Sequence, residues 1–234
     1  MISLIKRSYE KELLDRDDLP FEDIRQNMKE LDFINTSLGG HRITTDGIAE
    51  LMNNNNDGGT IRIVEIGCGG GDNLRAIKRW ALKNKIDVRL TGVDLNESCI
   101  HYAQQAPGNE GINFMLSDYR SATFDDDPHI IFSSLFCHHF TDEEMIGQLQ
   151  WMRRHSKWGF FINDLHRHPV AYYSIRVLTA FFSKSYLVKN DAPLSVRRGF
   201  RKHDWIRLLS SARINNFKCH WRWAFRWLIV CKCN

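Results

Sequence analysis

Apolar positions recur with two different periods along this chain. Between residues 20 and 34, Phe21, Ile24, Met28, Leu31 and Ile34 fall three or four apart, one apolar helical stripe that Gly39 and Gly40 bring to an end. A second short helix is predicted over Thr45–Met52, and Asn53–Gly59 reads as a linker with nothing to bury. From residue 60, short β-branched runs alternate with amphipathic stretches. The predicted strands are 61–66, 88–93, 112–116, 130–135 and 160–162, and the predicted helices are 72–82, 97–105 and 141–155, the last opened by the capping box Thr141-x-x-Glu144. Such alternation implies an α/β fold whose parallel sheet is covered on both faces. The rhythm then lapses into an apolar, aromatic helix (170–182), a basic loop (188–202) and a helix (204–212). Two strands follow, 217–223 and 225–231, too close together for anything but an antiparallel hairpin. Residues 1–58 are therefore expected to form a helical cap before a main domain of residues 59–234, with a further cap inserted at about 166–203.

Composition narrows the class without naming a function. The 234 residues are 43% hydrophobic and 26% charged, as in an ordinary globular protein, which leaves collagen-like and disordered readings unsupported. A chain of this length buries enough surface to fold without staples, and the six cysteines show neither C-x-x-C pairs nor zinc-like spacing, so they read as free thiols. Charged residues follow the first few positions without a secretory apolar stretch, and no segment approaches a membrane span; the expectation is a cytoplasmic protein. Charge is lopsided. Residues 1–150 carry 15 Lys and Arg against 25 Asp and Glu, whereas residues 151–234 carry 17 against 3, which raises the question of an anionic partner for the C-terminal third.

Specific chemistry begins at Glu65-Ile-Gly67-Cys-Gly69-Gly-Gly71-Asp72, which follows the first strand and opens a helix. Glycines there let the backbone turn sharply and approach a ligand, with helix N–H groups directed at it. A dinucleotide fingerprint would place glycine at 72, where Asp72 stands, and a carboxylate sits badly beside a pyrophosphate. Asp94, with Leu95 after it, closes the second strand, where a carboxylate can accept hydrogen bonds from ribose hydroxyls. The third strand ends at Ser117-Asp118-Tyr119. With these three motifs in order, the sequence resembles the class I S-adenosylmethionine-dependent methyltransferases. The resemblance covers about residues 60–165 and the closing hairpin. It implies a Rossmann-like sheet of seven strands with an antiparallel last strand, and S-adenosylmethionine as cofactor, with S-adenosylhomocysteine as product. Gly67 and Gly69 would pack against the methionine portion, Asp94 would lie at the ribose and Asp118 and Tyr119 at the adenine, with Glu65, Gly71, Leu95 and Leu135 as further cofactor-binding residues.

The Asp/Asn-Pro-Pro-aromatic motif by which family members methylate exocyclic amines of bases is missing after the fourth strand. Ser133-Ser-Leu-Phe-Cys-His-His-Phe-Thr-Asp142 instead looks like the small-molecule branch, similar to ubiquinone and menaquinone ring methyltransferases and those of aromatic polyketide pathways. That implies methyl transfer to oxygen or carbon of a small aromatic or enolic metabolite. Six of the ten histidines fall between 129 and 168, around the ends of strands four and five, and a neutral imidazole is the natural base for a phenol or enol near pH 7. His166, oriented by Asp164, is the first candidate base and His139 the second. A metal at Asp164, His166 and His168 is not expected. Arg197 and Arg198 are candidates to hold an anionic substrate group, and Tyr172, in the aromatic helix, a candidate substrate contact. That helix and the Phe21–Ile34 stripe are the candidate lids. Trp221 and Trp223 are expected to be buried on the hairpin with Arg222 exposed, which argues against a specific nucleic-acid partner. The competing readings are a nicotinamide-dependent oxidoreductase and an RNA-modifying or nucleic-acid-binding protein.

Overall fold

The alternating runs after residue 60 assemble into one sheet in the computed structural model, which describes residues 4–16, 18–53, 55 and 58–233. Residues 1–3 of the N-terminal reading, and residues 54, 56 and 57 of the expected linker, lie outside the described residues. Strands β1 (Ile61–Ile66), β2 (Val88–Asp94), β3 (Asn113–Leu116), β4 (Ile130–Ser134), β5 (Gly159–Leu165), β6 (Phe217–Arg222) and β7 (Arg226–Lys232) lie in the order β3-β2-β1-β4-β5-β7-β6. All neighbours pair in parallel except β7, which runs antiparallel between β5 and β6. The seven-stranded Rossmann-like sheet implied by the sequence is therefore present, and the strand order reverses between β1 and β4, where open α/β sheets take their ligands.

Period-two alternation sends neighbouring residues to opposite faces. Val64, Ile66, Ile131, Phe160 and Ile162 meet Met145, Leu149 and Met152 of α5 (Asp142–His155) and Trp205, Leu208 and Leu209 of α8 (Lys202–Ser211). Ile61, Ile63, Phe132 and Phe161 meet α2 (Gly40–Met52) through Ile43, Ile48 and Leu51, and α3 (Asp72–Asn84) through Leu74 and Ile77. Phe132 and Phe161 stack at 4.8 Å, and a side chain at Gly47 would strike Phe161 at 2.7 Å, so α2 presses directly on the sheet. Helix α2 is thus part of the main core, whatever further role α1 (Phe21–Ser37) has above the strand ends.

Two sequence expectations need correction. The basic loop is a helix, α7 (Tyr186–Arg198), capped by the Ser185 hydroxyl and packed on α6 (Pro169–Phe182); burial of Leu187, Val188, Leu194 and Val196 outweighs the interior Pro193 and the charges. The hairpin aromatics are also not covered. Trp221 and Trp223 remain 46% and 67% exposed, and the buried ring at that end of the sheet is Trp227, directly opposite Trp221 on β7.

Candidate active site

The loop from β1 into α3 is bound at both ends. Gly67 has φ +68° and a side chain there would meet the Phe136 ring at 2.3 Å, while Gly71, at φ +73°, forms the N-cap of α3. Asp94 anchors the middle: its Oδ2 accepts the Gly69 N–H at 2.8 Å and its Oδ1 the Asn96 N–H at 2.9 Å. Burial raises the Asp94 pKa even so. Glu65 is buried beneath the loop, and burial, reinforced by the neighbouring Asp72 charge, holds its pKa well above the ordinary carboxylate range. Asp72 is the opposite case. Burial works to raise its pKa, but His41 Nε2 and Asn35 Nδ2, each at 2.8 Å, bring it below the ordinary value.

Above this loop a cleft of about 1050 Å³ runs beyond the carboxyl ends of β1, β2 and β4. Glu65, Gly67, Gly69, Asp94, Leu95, Asp118, Tyr119 and Leu135 all line it, whereas Gly71 stands back as the cap of α3. Leu95, 72% exposed, offers a flat ring an apolar surface, and Tyr119 meets Trp151 edge-on at 5.2 Å. Asp118 is held by the Arg120 guanidinium, which lowers its pKa. Met28 and Leu31 of α1 enter the same cleft, so the Phe21–Ile34 stripe does form part of its wall; no residue of α6 does.

The remaining wall comes from the arm before α1. Arg7 donates to the Arg198 carbonyl at 3.0 Å and pairs with Asp142 at 2.6 Å, while Leu13 and Leu14 N–H groups donate to Asp191 of α7 at 2.8 and 3.0 Å. Thus fastened, the arm brings Tyr9, Leu14 and Asp15 to the cleft beside Phe136, His139 and Phe140. His139 Nδ1 lies 3.0 Å from Asp15 Oδ1, and its Nε2 lies 3.7 Å from Glu12 Oε2. Behind it, buried His138 pairs with Asp164 at 2.8 Å and with Glu12 at 3.5 Å. Burial opposes a charge on His138, but Asp164 and Glu12 raise its pKa to about 9.

Several expected site residues are elsewhere. His166 is outside the cleft, against Trp227 and with its Nδ1 accepting from Trp221 Nε1 at 3.2 Å; burial and the nearby His168 lower its pKa to about 4. Asp164, expected to orient His166, pairs with His138 instead, so the Asp164, His166, His168 grouping does not form. Tyr172 is buried against Leu4 and Val196. Arg197 pairs with Glu10 at 2.8 Å away from the cleft, and Arg198, although it lines the cleft, donates to the carbonyls of His138, His139 and Glu10, which leaves its fork committed to the arm.

Two groups escaped sequence reasoning, Asn35 and Arg226. Asn35 Oδ1, Arg226 Nη1 and the Oε2 of the expected Glu65 are buried without a hydrogen-bond partner. Asn35 and Glu65 line the cleft, and a side chain on Gly40 would strike both Asn35 Oδ1, at 1.7 Å, and Arg226 Nη1, at 2.8 Å. The two free acceptor oxygens fit the ammonium of an amino-acid group, with the Arg226 guanidinium behind Asn35 and outside the cleft lining, and the acidic floor of Glu65, Asp72 and Asp94 fits a sulfonium and repels a pyrophosphate. The residues present therefore suit S-adenosylmethionine and not a nicotinamide dinucleotide.

The strand order and this carboxylate-floored cleft define a Rossmann-like methyltransferase architecture. Comparison with known proteins agrees: residues 63–159 match the family model described as a methyltransferase domain. Residues 63–159 thus carry a methyltransferase domain match, and the chain as a whole has the fold of S-adenosylmethionine-dependent methyltransferases. No curated protein matches its sequence. Among solved structures, it resembles the plantazolicin methyltransferase BpumL in complex with S-adenosylhomocysteine, at 20% identity and a TM-score of 0.61 over 88% of this chain and 74% of that one. The magnesium protoporphyrin IX methyltransferase ChlM from Synechocystis PCC 6803, bound to S-adenosylmethionine, aligns at 13% identity and a TM-score of 0.54, covering 86% of this chain and 82% of that one. Human N-acetylserotonin methyltransferase, also with S-adenosylmethionine, aligns at 15% identity and a TM-score of 0.64, over 91% of this chain and 56% of that one. At these identities the likeness is one of fold.

Proposed function

We propose that the chain methylates an oxygen or carbon of a small aromatic or enolic acceptor, with His139 as the base. The observation that carries this reading is the Asp15–His139 pair, set in an aromatic wall of the cleft that also contains Glu65 and Asp94. Neighbours named for plantazolicin, magnesium protoporphyrin IX and N-acetylserotonin support a small-molecule or peptide acceptor.

S-adenosylmethionine supplies a methyl group already activated by its sulfonium charge, so the protein's task is alignment, exclusion of water and removal of a proton. Glu65 and Asn35 would hold the amino-acid end, with the Arg226 charge behind Asn35, Asp94 the ribose hydroxyls, and Leu95, Asp118 and Tyr119 the adenine. Phe136, Phe140 and Tyr9 would stack on the acceptor. His139 takes the acceptor's proton, and Asp15 and Glu12, one beside each ring nitrogen, stabilise the imidazolium. As the acceptor's oxygen or carbon takes the methyl, the C–S electron pair stays on sulfur.

The test is a panel of phenols and enols incubated with S-adenosylmethionine, with S-adenosylhomocysteine and the methylated product followed by mass spectrometry. For an active acceptor, His139→Ala is expected to lower turnover by about 10²–10⁴-fold while leaving S-adenosylhomocysteine affinity unchanged. Full turnover of His139→Ala at pH 6 would remove the base and leave positioning alone.

A further inference from the structure

The outer face of α6 carries an apolar surface that the active site does not use. Phe181 and Phe182 are each 80% exposed, and Val170, Tyr173 and Val177 of the same helix are exposed as well. The inner face is buried: Ala171 and Tyr172 pack with Leu4 and Val196, and Phe225 packs on that cluster. Phe225 in turn lies 6.0 Å from exposed Trp223, and Leu4 is followed by exposed Ile5, so the surface continues past the helix on both sides. Monomeric soluble proteins rarely leave so many large apolar side chains contiguous and uncovered.

Charge decides what covers it. Between Asp164 and Asp191 the chain has no acidic residue, and Arg176 and Lys184 stand exposed on and beside α6, with Lys6 exposed next to Ile5; Glu30 of α1 reaches the end of α6, but its carboxylate is taken up by the Ser183 hydroxyl and the Lys184 and Ser185 N–H groups. None of these three cations forms an ion pair with a described residue. A second copy docked face to face would set Arg176 and Lys184 against their own like charges, since a two-fold interface opposes a patch to itself. An anionic lipid surface satisfies both features, taking aromatic and aliphatic side chains at the headgroup boundary and cations among the headgroups. At 14 residues, α6 is too short to cross a bilayer and is suited to lie on one.

We infer that the α6 face, with Ile5 and Trp223 at its margins, docks this methyltransferase on anionic membrane surfaces. This docking does not depend on the identity of the acceptor. The probe is co-sedimentation of the full chain with phosphatidylcholine vesicles, with and without phosphatidylserine. Binding is expected only with phosphatidylserine, and it should fall at least tenfold with Phe181→Ser/Phe182→Ser, with Arg176→Glu/Lys184→Glu, and in high salt. Thermal stabilisation by S-adenosylhomocysteine should persist in both variants, which shows that they are folded. In the unsubstituted protein, brominated lipids should quench tryptophan emission. Failure to bind phosphatidylserine vesicles would overturn the inference, as would binding that neither double variant weakens. Self-association abolished by Phe181→Ser/Phe182→Ser, without vesicle binding, would assign the face to a second copy. Salt-resistant binding of single-stranded RNA lost in the same variant would assign it to nucleic acid.

Discussion

The charged cluster behind the acceptor end makes stability fall with rising pH in a window set by one histidine. His138 sits between Asp164, 2.8 Å from its Nδ1, and Glu12, 3.5 Å from its Nε2, with no side chain of the three more than 4% exposed. In the unfolded chain His138 titrates near 6.5; in the folded protein Asp164 and Glu12, acting against burial, bring it to about 9. Below pH 6.5 both states hold the proton, and the contribution is complete. Above 6.5 the unfolded chain releases its proton while folded His138 keeps it, so unfolding free energy falls by about 1.4 kcal/mol per pH unit until the folded group titrates too. The total is about 3 kcal/mol, a large part of the 5–15 kcal/mol typical of a domain. Urea unfolding at pH 6, 7.5 and 9 measures the slope, and the double variant His138→Gln/Asp164→Asn, which puts amides where the ion pair stood, should lose it. Equal slopes in the two proteins, or a flat profile between 6.5 and 9, would refute the reasoning. Because Glu12 belongs to the N-terminal arm, limited proteolysis of residues 4–16 should also accelerate over the same window. His166 has the opposite sign: its folded pKa of about 4 lies below the unfolded value, so its contribution appears as pH rises toward 6.5.

The cofactor end gives two further tests. Asp94→Ala removes the acceptor of the Gly69 and Asn96 N–H groups and of any ribose hydroxyl, and should weaken S-adenosylhomocysteine binding by about 1–3 kcal/mol in calorimetry; unchanged affinity would move the ribose contact to another group. Arg226→Met replaces a buried guanidinium, whose pKa burial depresses to about 10, by an apolar chain of similar length, so thermal stability should hold or rise while S-adenosylhomocysteine affinity drops at least tenfold. Intact affinity would remove Arg226 from the amino-acid end.

The fold was legible because each of its elements carries its own local signal. The capping box at Thr141 and Glu144 forms as read, β1 occupies the residues its apolar run predicts, and the glycine loop and Asp94 meet because consecutive parallel strands bring their carboxyl ends to one edge. A motif confined to a strand end needs only the sheet to place it. Where a local cue opposed tertiary burial, the reading failed. Pro193 and the arginines of α7 look like a loop, yet four apolar residues find a buried face there. Alternation gave the two faces of the hairpin but not where the covering helices stop, and Trp221 lies past that limit.

The acceptor half was not legible because contacts between the N-terminal arm and residues more than a hundred positions later build it. Asp15 meets His139 across 124 residues, Arg7 meets Asp142 across 135, and Arg198 meets Glu10 across 188, and no periodicity encodes such pairings. Each also replaces a plausible local reading: Arg198 looked like a free anion holder and serves as the clasp of the arm, while Asp164, two residues before His166, turns to His138. The arm therefore has two couplings to chemistry, since the same segment that supplies Asp15 to His139 is fixed by Glu12 to the charged state of His138. Loosening the clasp should then impair the acceptor side before the cofactor side, because no contact of Asp94 or Glu65 with the glycine loop passes through the arm.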